Sequence, residues 1–157
     1  MINKGLFQVP NTRTTVSLSL GNKGGPAQAV FNVLNGTQHF LIDQLAASGD
    51  GQIPQSHDPF YYDLEQGSWL IAESYGTQHF TWGILNATIG WLIPHLAPIS
   101  KYRQRVGAYV SDGDWGPIGH ITVESGYTGR FLPEILQGAA GVTNYTENPV
   151  PCRIACN

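Results

Sequence analysis

From Thr14 to Leu20 the chain reads Thr-Thr-Val-Ser-Leu-Ser-Leu, the period-two pattern of a half-buried strand. Ala27 to Leu34 alternates in the same way and is rich in β-formers. Gly21-Asn22-Lys23-Gly24-Gly25-Pro26 supplies turn residues between them, so the two segments predict a hairpin. Phe60–Leu64 and Ser68–Tyr75, joined by Glu65-Gln66-Gly67, predict a second hairpin. Val106–Ser111 and Ile118–Glu124 predict a third, around Asp112-Gly113-Asp114-Trp115-Gly116-Pro117. Helical spacing follows in two places. Phe80, Ile84, Ala87 and Trp91 share one helix face, with Leu85, Thr88 and Leu92 beside it, and Pro94 ends or kinks that helix near His95. The other helix runs from about Phe40 to Ser48 and stops at Gly49, a residue suited to the left-handed C′ position. Residues 131–137 predict a further short helix, entered through Pro133.

A repeat orders these elements. Gly36-Thr37-Gln38-His39-Phe40 recurs forty residues later as Gly76-Thr77-Gln78-His79-Phe80. The same offset matches Leu45 with Leu85, Ala47 with Ala87, Ile53 with Ile93 and Pro54 with Pro94. Nine identities between 36–54 and 76–94, without a gap, favour duplication over coincidence. The expected fold class is therefore α+β: an internally duplicated ββα-ββα-ββ chain whose antiparallel sheet carries two helices on one face.

With 157 residues the chain fits one domain, expected over 1–141, followed by an irregular Asn-, Pro- and Thr-rich tail over 142–157. Hydrophobic residues make up 41% and charged residues only 12%, a balance that argues for a packed core and against disorder. A net charge of −3 gives no electrostatic footprint for nucleic acid. Lys101-Tyr102-Arg103-Gln104-Arg105, the one basic run, reads as a solvated loop. No stretch reaches the ~18 apolar residues of a membrane span.

Compartment is read from the sequons and the cysteines. Asn35-Gly36-Thr37, Asn86-Ala87-Thr88 and Asn144-Tyr145-Thr146 are acceptor sequences for N-glycosylation. Cys152 and Cys156 stand four apart near the end, where they can close a small loop, cap the tail or link to another chain; a disulfide is the expectation in an oxidising compartment. No apolar segment follows Met1-Ile2-Asn3-Lys4, which leaves a mature secreted chain with an added Met, or else a cytosolic protein. The sequons favour an extracellular location.

Thr81-Trp82-Gly83-Ile84-Leu85, then Gly107-Ala108-Tyr109-Val110-Ser111-Asp112-Gly113 and Gly116-Pro117-Ile118-Gly119-His120-Ile121, share a pattern: a Thr-aromatic-Gly helix start followed by a hairpin with Asp-Gly and Gly-x-x-Gly. In this the chain resembles a group of small secreted fungal proteins, over roughly residues 70–125. The resemblance implies secretion and brings no catalytic residue with it.

His39 and His79 are the sharpest candidates for chemistry, because duplication would set them at equivalent strand-to-helix junctions. Two imidazoles brought together there would suit a metal or an anion. The competing reading is a fold-defining corner, in which Gly relaxes the turn, Thr caps the helix and His fills a packing niche. Asp112-Gly113-Asp114 offers two carboxylates to Ca²⁺ but also suits a hairpin turn. His57-Asp58 sets an imidazole beside a carboxylate, and Glu73 and Glu124 lie on predicted strands as possible partners for glycoside chemistry. No nucleophile elbow or phosphate-binding loop is present. Among the aromatics, Trp115 in its polar turn is the ring expected to face solvent and a ligand. The functional expectation is a small secreted, non-catalytic, effector-like protein without a cofactor, acting by binding a protein or glycan partner or by self-association. The alternatives are a metal-dependent or hydrolytic enzyme using His39 and His79, and a carbohydrate-binding module.

Overall fold

The computed structural model describes residues 5–21, 27–64, 68–96 and 105–124. The expected helix at 131–137, the tail, Asn144 and the Cys152–Cys156 pair lie outside the described residues. Eight regular elements alternate as strands β1 (Leu6–Gln8) and β2 (Thr14–Leu20), helix α1 (Ala27–Ser48), strands β3 (Phe60–Leu64) and β4 (Ser68–Ser74), helix α2 (Trp82–Leu96), and strands β5 (Arg105–Asp112) and β6 (Gly116–Glu124). A single 3₁₀ turn, Gln55–His57, precedes β3.

The six strands form one antiparallel sheet in the order β1-β2-β5-β6-β4-β3. The β5–β6 hairpin is its centre, flanked by the other two. Val16 and Leu18, Val106, Ala108 and Val110, Ile121 and Val123, Leu70 and Ala72, and Phe60 and Tyr62 alternate onto one face and pack with both helices into one core. The helices lie side by side on that face, α1 over β3, β4 and β6 and α2 over β2. The α+β class is therefore observed, and the second and third hairpins fall where the alternation put them.

The first repeat unit differs from expectation. Ala27 to Leu34 forms the opening turns of α1, not a strand. Val30, Val33, Leu34, Thr37 and Leu41 are all buried, and their spacing is that of one helical face. That face meets the core only if the segment is helical; as a strand it would turn Val33 and Leu34 to opposite sides. β2 instead pairs with β1 through the turn at Pro10-Asn11 and with β5 on its other side. The duplicated ββα unit is not confirmed.

The two copies of Gly-Thr-Gln-His-Phe have different conformations. Gly36 to Phe40 is the middle of α1, whereas Gly76 to Phe80 is the turn that leads from β4 to α2. Glycine is needed at both places for different reasons. At Gly36 a Cβ would collide with the buried Tyr62 ring of β3, with Cζ only 2.7 Å away, so α1 approaches the sheet through a missing side chain. At Gly76 the backbone has φ +57°, the left-handed region. Thr37 is buried with its hydroxyl donating to the Val33 carbonyl at 2.8 Å; Thr77 is exposed.

Helix ends are closed by identifiable groups. α1 stops at Gly49, with φ +73° and its N–H donating to the Leu45 carbonyl at 2.8 Å, as the sequence suggested. At the start of α2 the Trp82 N–H donates to the Gly51 carbonyl, the Gly83 N–H to the Asp50 carboxylate and the Ile84 N–H to the Thr81 hydroxyl. Three N–H groups that a helix start leaves without intrahelical acceptors are thereby satisfied. Pro94 sits in the last described turn, and the helix carries on to Leu96.

Candidate functional site

The opposite face of the sheet carries no described helix. Tyr61 and Ile71 fill its β3–β4 end, both buried, and the rest of the face is polar and aromatic. The register places Leu6, Ser17, Tyr109, His120 and Glu73 side by side on five successive strands. Four inter-strand steps make this row about 19 Å long.

A β-bulge puts His120 into that row. Val110 opposes Gly119 and Ser111 opposes Pro117, so Ile118 is an extra residue in β6. Ile118 and Ile121 both face the core, three apart, and the register slip between them turns His120 outward. Gly119 makes the slip possible. A Cβ there would overlap the Glu73 backbone carbonyl and lie 2.7 Å from Cε2 of the Phe80 ring.

Around His120 the geometry is open. Its Nε2 stands 3.7 Å from Glu73 Oε2, beyond hydrogen-bond distance, and its Nδ1 is enclosed without a hydrogen bond among the described residues. The Tyr75 ring lies 5.6 Å from the imidazole and the Tyr109 ring 6.1 Å, both tilted by less than 40°. Tyr109 is 53% exposed and Tyr75 37%. The Tyr75 hydroxyl is held above its ordinary value of 10.0, first by burial, then by Tyr109 and by the negative charge of Glu73. Beside the row, Gly107 leaves a gap between Ser19 and Thr122. The resulting depression has a volume of about 300 Å³ and is walled by Ser19, Arg105, Tyr109, His120 and Thr122.

His39 and His79 are not set at equivalent junctions. His39 projects from the middle of α1 and is exposed. His79 is half-buried, its Nδ1 3.1 Å from Asp58 Oδ2. Asp58 Oδ1 accepts from the Ser74 N–H at 3.1 Å, and the Ser74 hydroxyl accepts from the Phe80 N–H at 3.1 Å. His79 thus closes a polar corner that ties the segment before β3 to the end of β4 and the approach to α2. Among the described residues, no group of three His, Cys, Asp or Glu side chains could hold a metal ion.

Asp112 and Asp114 serve the β5–β6 turn. The Asp114 N–H donates to Asp112 Oδ1 at 2.9 Å, and the Asp114 carboxylate pairs with Arg13 across the turn before β2. Trp115 stands in this turn, 54% exposed. Glu73 and Glu124 lie on neighbouring strands, but Glu73 opposes His120 and Glu124 is four residues further along β6. Their Cα atoms are offset by about 13 Å along the strand, wider than the ~5–9.5 Å between paired glycosidase carboxyls. Asn35 is exposed on α1; Asn86 is half-buried on α2 with its amide oxygen enclosed.

Alternation alone hides His120. Counting by twos from Ile118 places it in the core, and only the lone glycine between them signals a bulge. Compared with family models, with curated proteins and with solved structures, the chain matches none.

Proposed function

We propose that this protein acts by binding and that its ligand meets the face of the sheet opposite α1 and α2, along the row Ser17, Tyr109, His120 and Glu73. One observation carries the proposal: Tyr109 and Tyr75 expose their rings beside an imidazole and a carboxylate that stand 3.7 Å apart and make no direct hydrogen bond to each other. Rings of this kind bring a large contact area at low entropic cost, and Glu73 and His120 add directional polar groups. The offset between Glu73 and Glu124, and the engagement of His79 by Asp58, support a binding role over a hydrolytic one. The three sequons, the cysteine pair and the fungal resemblance support a secreted location.

The test follows the His120 imidazole by NMR, with signals assigned through His120→Gln. Titrants are neutral oligosaccharides, acidic oligosaccharides and increasing concentrations of the protein itself. A ligand of this face moves the His120 signals in wild type and loses its effect in Tyr109→Ser and Tyr75→Ser, whose folds are preserved. A ligand that shifts His79 or quenches Trp115 while leaving His120 in place would show that the wrong surface has been chosen.

A further inference from the structure

We infer that the depression over Gly107 is a subsite for one sugar ring of a neutral saccharide, stacked against Tyr109 with its hydroxyls on Ser19, Thr122, His120 and Glu73. The inference rests on the binding role proposed above and names its ligand. Shape comes first. In the register Ser19, Gly107 and Thr122 lie side by side, and the missing side chain at the middle position creates the hollow. Its volume of about 300 Å³ lies at the lower end of small-molecule sites, which run from about 300 to 1,000 Å³. The glycine is not forced by crowding: a Cβ would sit 3.6 Å from Ser19 Cβ, an ordinary contact.

The lining selects the chemistry. Ser19 and Thr122 each bring a hydroxyl that both donates and accepts, Tyr109 brings a flat exposed ring and His120 a nitrogen; Glu73, outside the lining but opposite His120 on β4, adds a carboxylate. A fully apolar ligand would cover these groups without satisfying them, at a desolvation cost for each. The gap of 3.7 Å between His120 Nε2 and Glu73 Oε2 is too long for a direct bond. A hydroxyl placed between them donates to the carboxylate and uses its second site on the imidazole. A pyranose ring combines a C–H face for stacking with hydroxyls around its edge, which is the pairing these walls present.

The charges among the described residues favour a neutral ligand. Of those residues Arg105 is the cation at the rim, and the register sets it opposite Glu124. Glu73 adds negative charge beside His120, and the chain as a whole carries −3. From the described residues a phosphate or a polyuronate would therefore meet no net positive field.

The experiment titrates cellohexaose, laminarihexaose, chitohexaose and mannohexaose, with hexagalacturonate as the acidic comparison, against wild type, Gly107→Val, Tyr109→Ser and Trp115→Ser. Calorimetry and the His120 signals are read together. At least one neutral hexasaccharide binds wild type. Gly107→Val, which fills the hollow, and Tyr109→Ser, which removes the platform, each weaken it about tenfold. Trp115→Ser changes it less than about twofold. Should the Val side chain prevent folding, Gly107→Ala and Tyr109→Ser carry the comparison. Binding that survives Gly107→Val but is lost in Trp115→Ser overturns the subsite. Silence towards every neutral hexasaccharide overturns the ligand class. If His120 then responds to hexagalacturonate or to protein concentration, the face remains a binding surface and only the sugar is wrong. If His120 responds to nothing, the binding face fails as well.

Discussion

His39 and His79 occupy identical pentapeptides, and replacing each by alanine should have opposite effects. His39 is exposed on the middle of α1 and its ring serves no packing role visible in its burial. His39→Ala exchanges a middling helix former for the best one, a gain of about 0.3–0.6 kcal/mol. At His79 the same change removes the bond to Asp58. A hydrogen bond to a charged group is worth about 1.5–3 kcal/mol, and the partial exposure of the pair brings the expected loss to the lower end, about 1–1.5 kcal/mol. Asp58 keeps its bond from the Ser74 N–H, which prevents a larger loss. In a chain of this size each kcal/mol moves the melting temperature by roughly 2–4 °C. His79→Ala should therefore melt about 2–6 °C lower, and His39→Ala at or slightly above wild type. Urea unfolding gives the free energies directly, with an unchanged slope confirming that only stability has moved. A cycle of His79→Ala with Asp58→Asn should return a coupling of about 1 kcal/mol. Equal losses at the two histidines would refute the reasoning. So would a Zn²⁺-induced rise in wild-type melting that both single variants abolish, since that would join the two side chains in one site.

Three further outcomes follow from the geometry. Asp50→Ala and Thr81→Ala each remove one cap from the start of α2 and should each cost about 1 kcal/mol in urea unfolding, with nearly additive effects because they serve different N–H groups. Gly119→Ala forces a methyl group into the Glu73 carbonyl and the Phe80 ring and should cost about 3 kcal/mol, against little for Gly107→Ala on the neighbouring strand. Because Tyr75 holds its proton above the ordinary value of 10.0, the unfolded chain releases that proton first, and stability falls as pH rises through this range. An absorbance titration should show a late-ionising tyrosine component that Tyr75→Phe removes, and the alkaline loss of stability should be smaller in the variant. Since burial is the larger cause, Glu73→Gln should lower the late ionisation only in part.

Much of the sheet was legible because its signals are local. The β3–β4 and β5–β6 hairpins each combine alternation with a turn of Gly, Asp or Glu-Gln-Gly, and both fall within a residue or two of their expected ends. β1 escaped notice because three residues carry no period; its only local mark is the Pro10-Asn11 turn, with Asn11 at φ +59°. Ala27–Leu34 imitates a strand for a different reason. Gln28 and Asn32 sit between apolar residues and imitate alternation, while the helical spacing of Val30, Val33, Leu34, Thr37 and Leu41 becomes visible only in a window that runs past Gly36. That glycine looked like a boundary. Its true role is to admit the Tyr62 ring, and nothing within ten residues of it in sequence reveals the ring. The repeated pentapeptide shows the same limit: five identical residues form helix where an upstream apolar face continues into them. They form a turn where the Ser74 hydroxyl accepts from the Phe80 N–H and Asp58 holds the His79 ring, both contributed by other segments.

The binding face was hidden by the same kind of long-range cause. Strict alternation through Ile118-Gly119-His120-Ile121 cannot satisfy both isoleucines, since they are three apart and both belong in the core. The conflict has one inexpensive resolution, an extra residue at the hairpin end of β6, and the bulge is there. Once it exists, His120 must leave the core face, and the antiparallel register brings it beside Tyr109 and Glu73 whatever their own segments prefer. The packing of Phe80 against Gly119 then fixes the bulge in place. A core requirement thus determines the composition of the opposite surface. It follows that Gly119→Ala should disturb His120 and Tyr109 signals on the face opposite α1 and α2 as well as stability, although the added methyl group points into the core. If those signals kept their wild-type positions while stability fell, the link from core packing to the binding row would be broken.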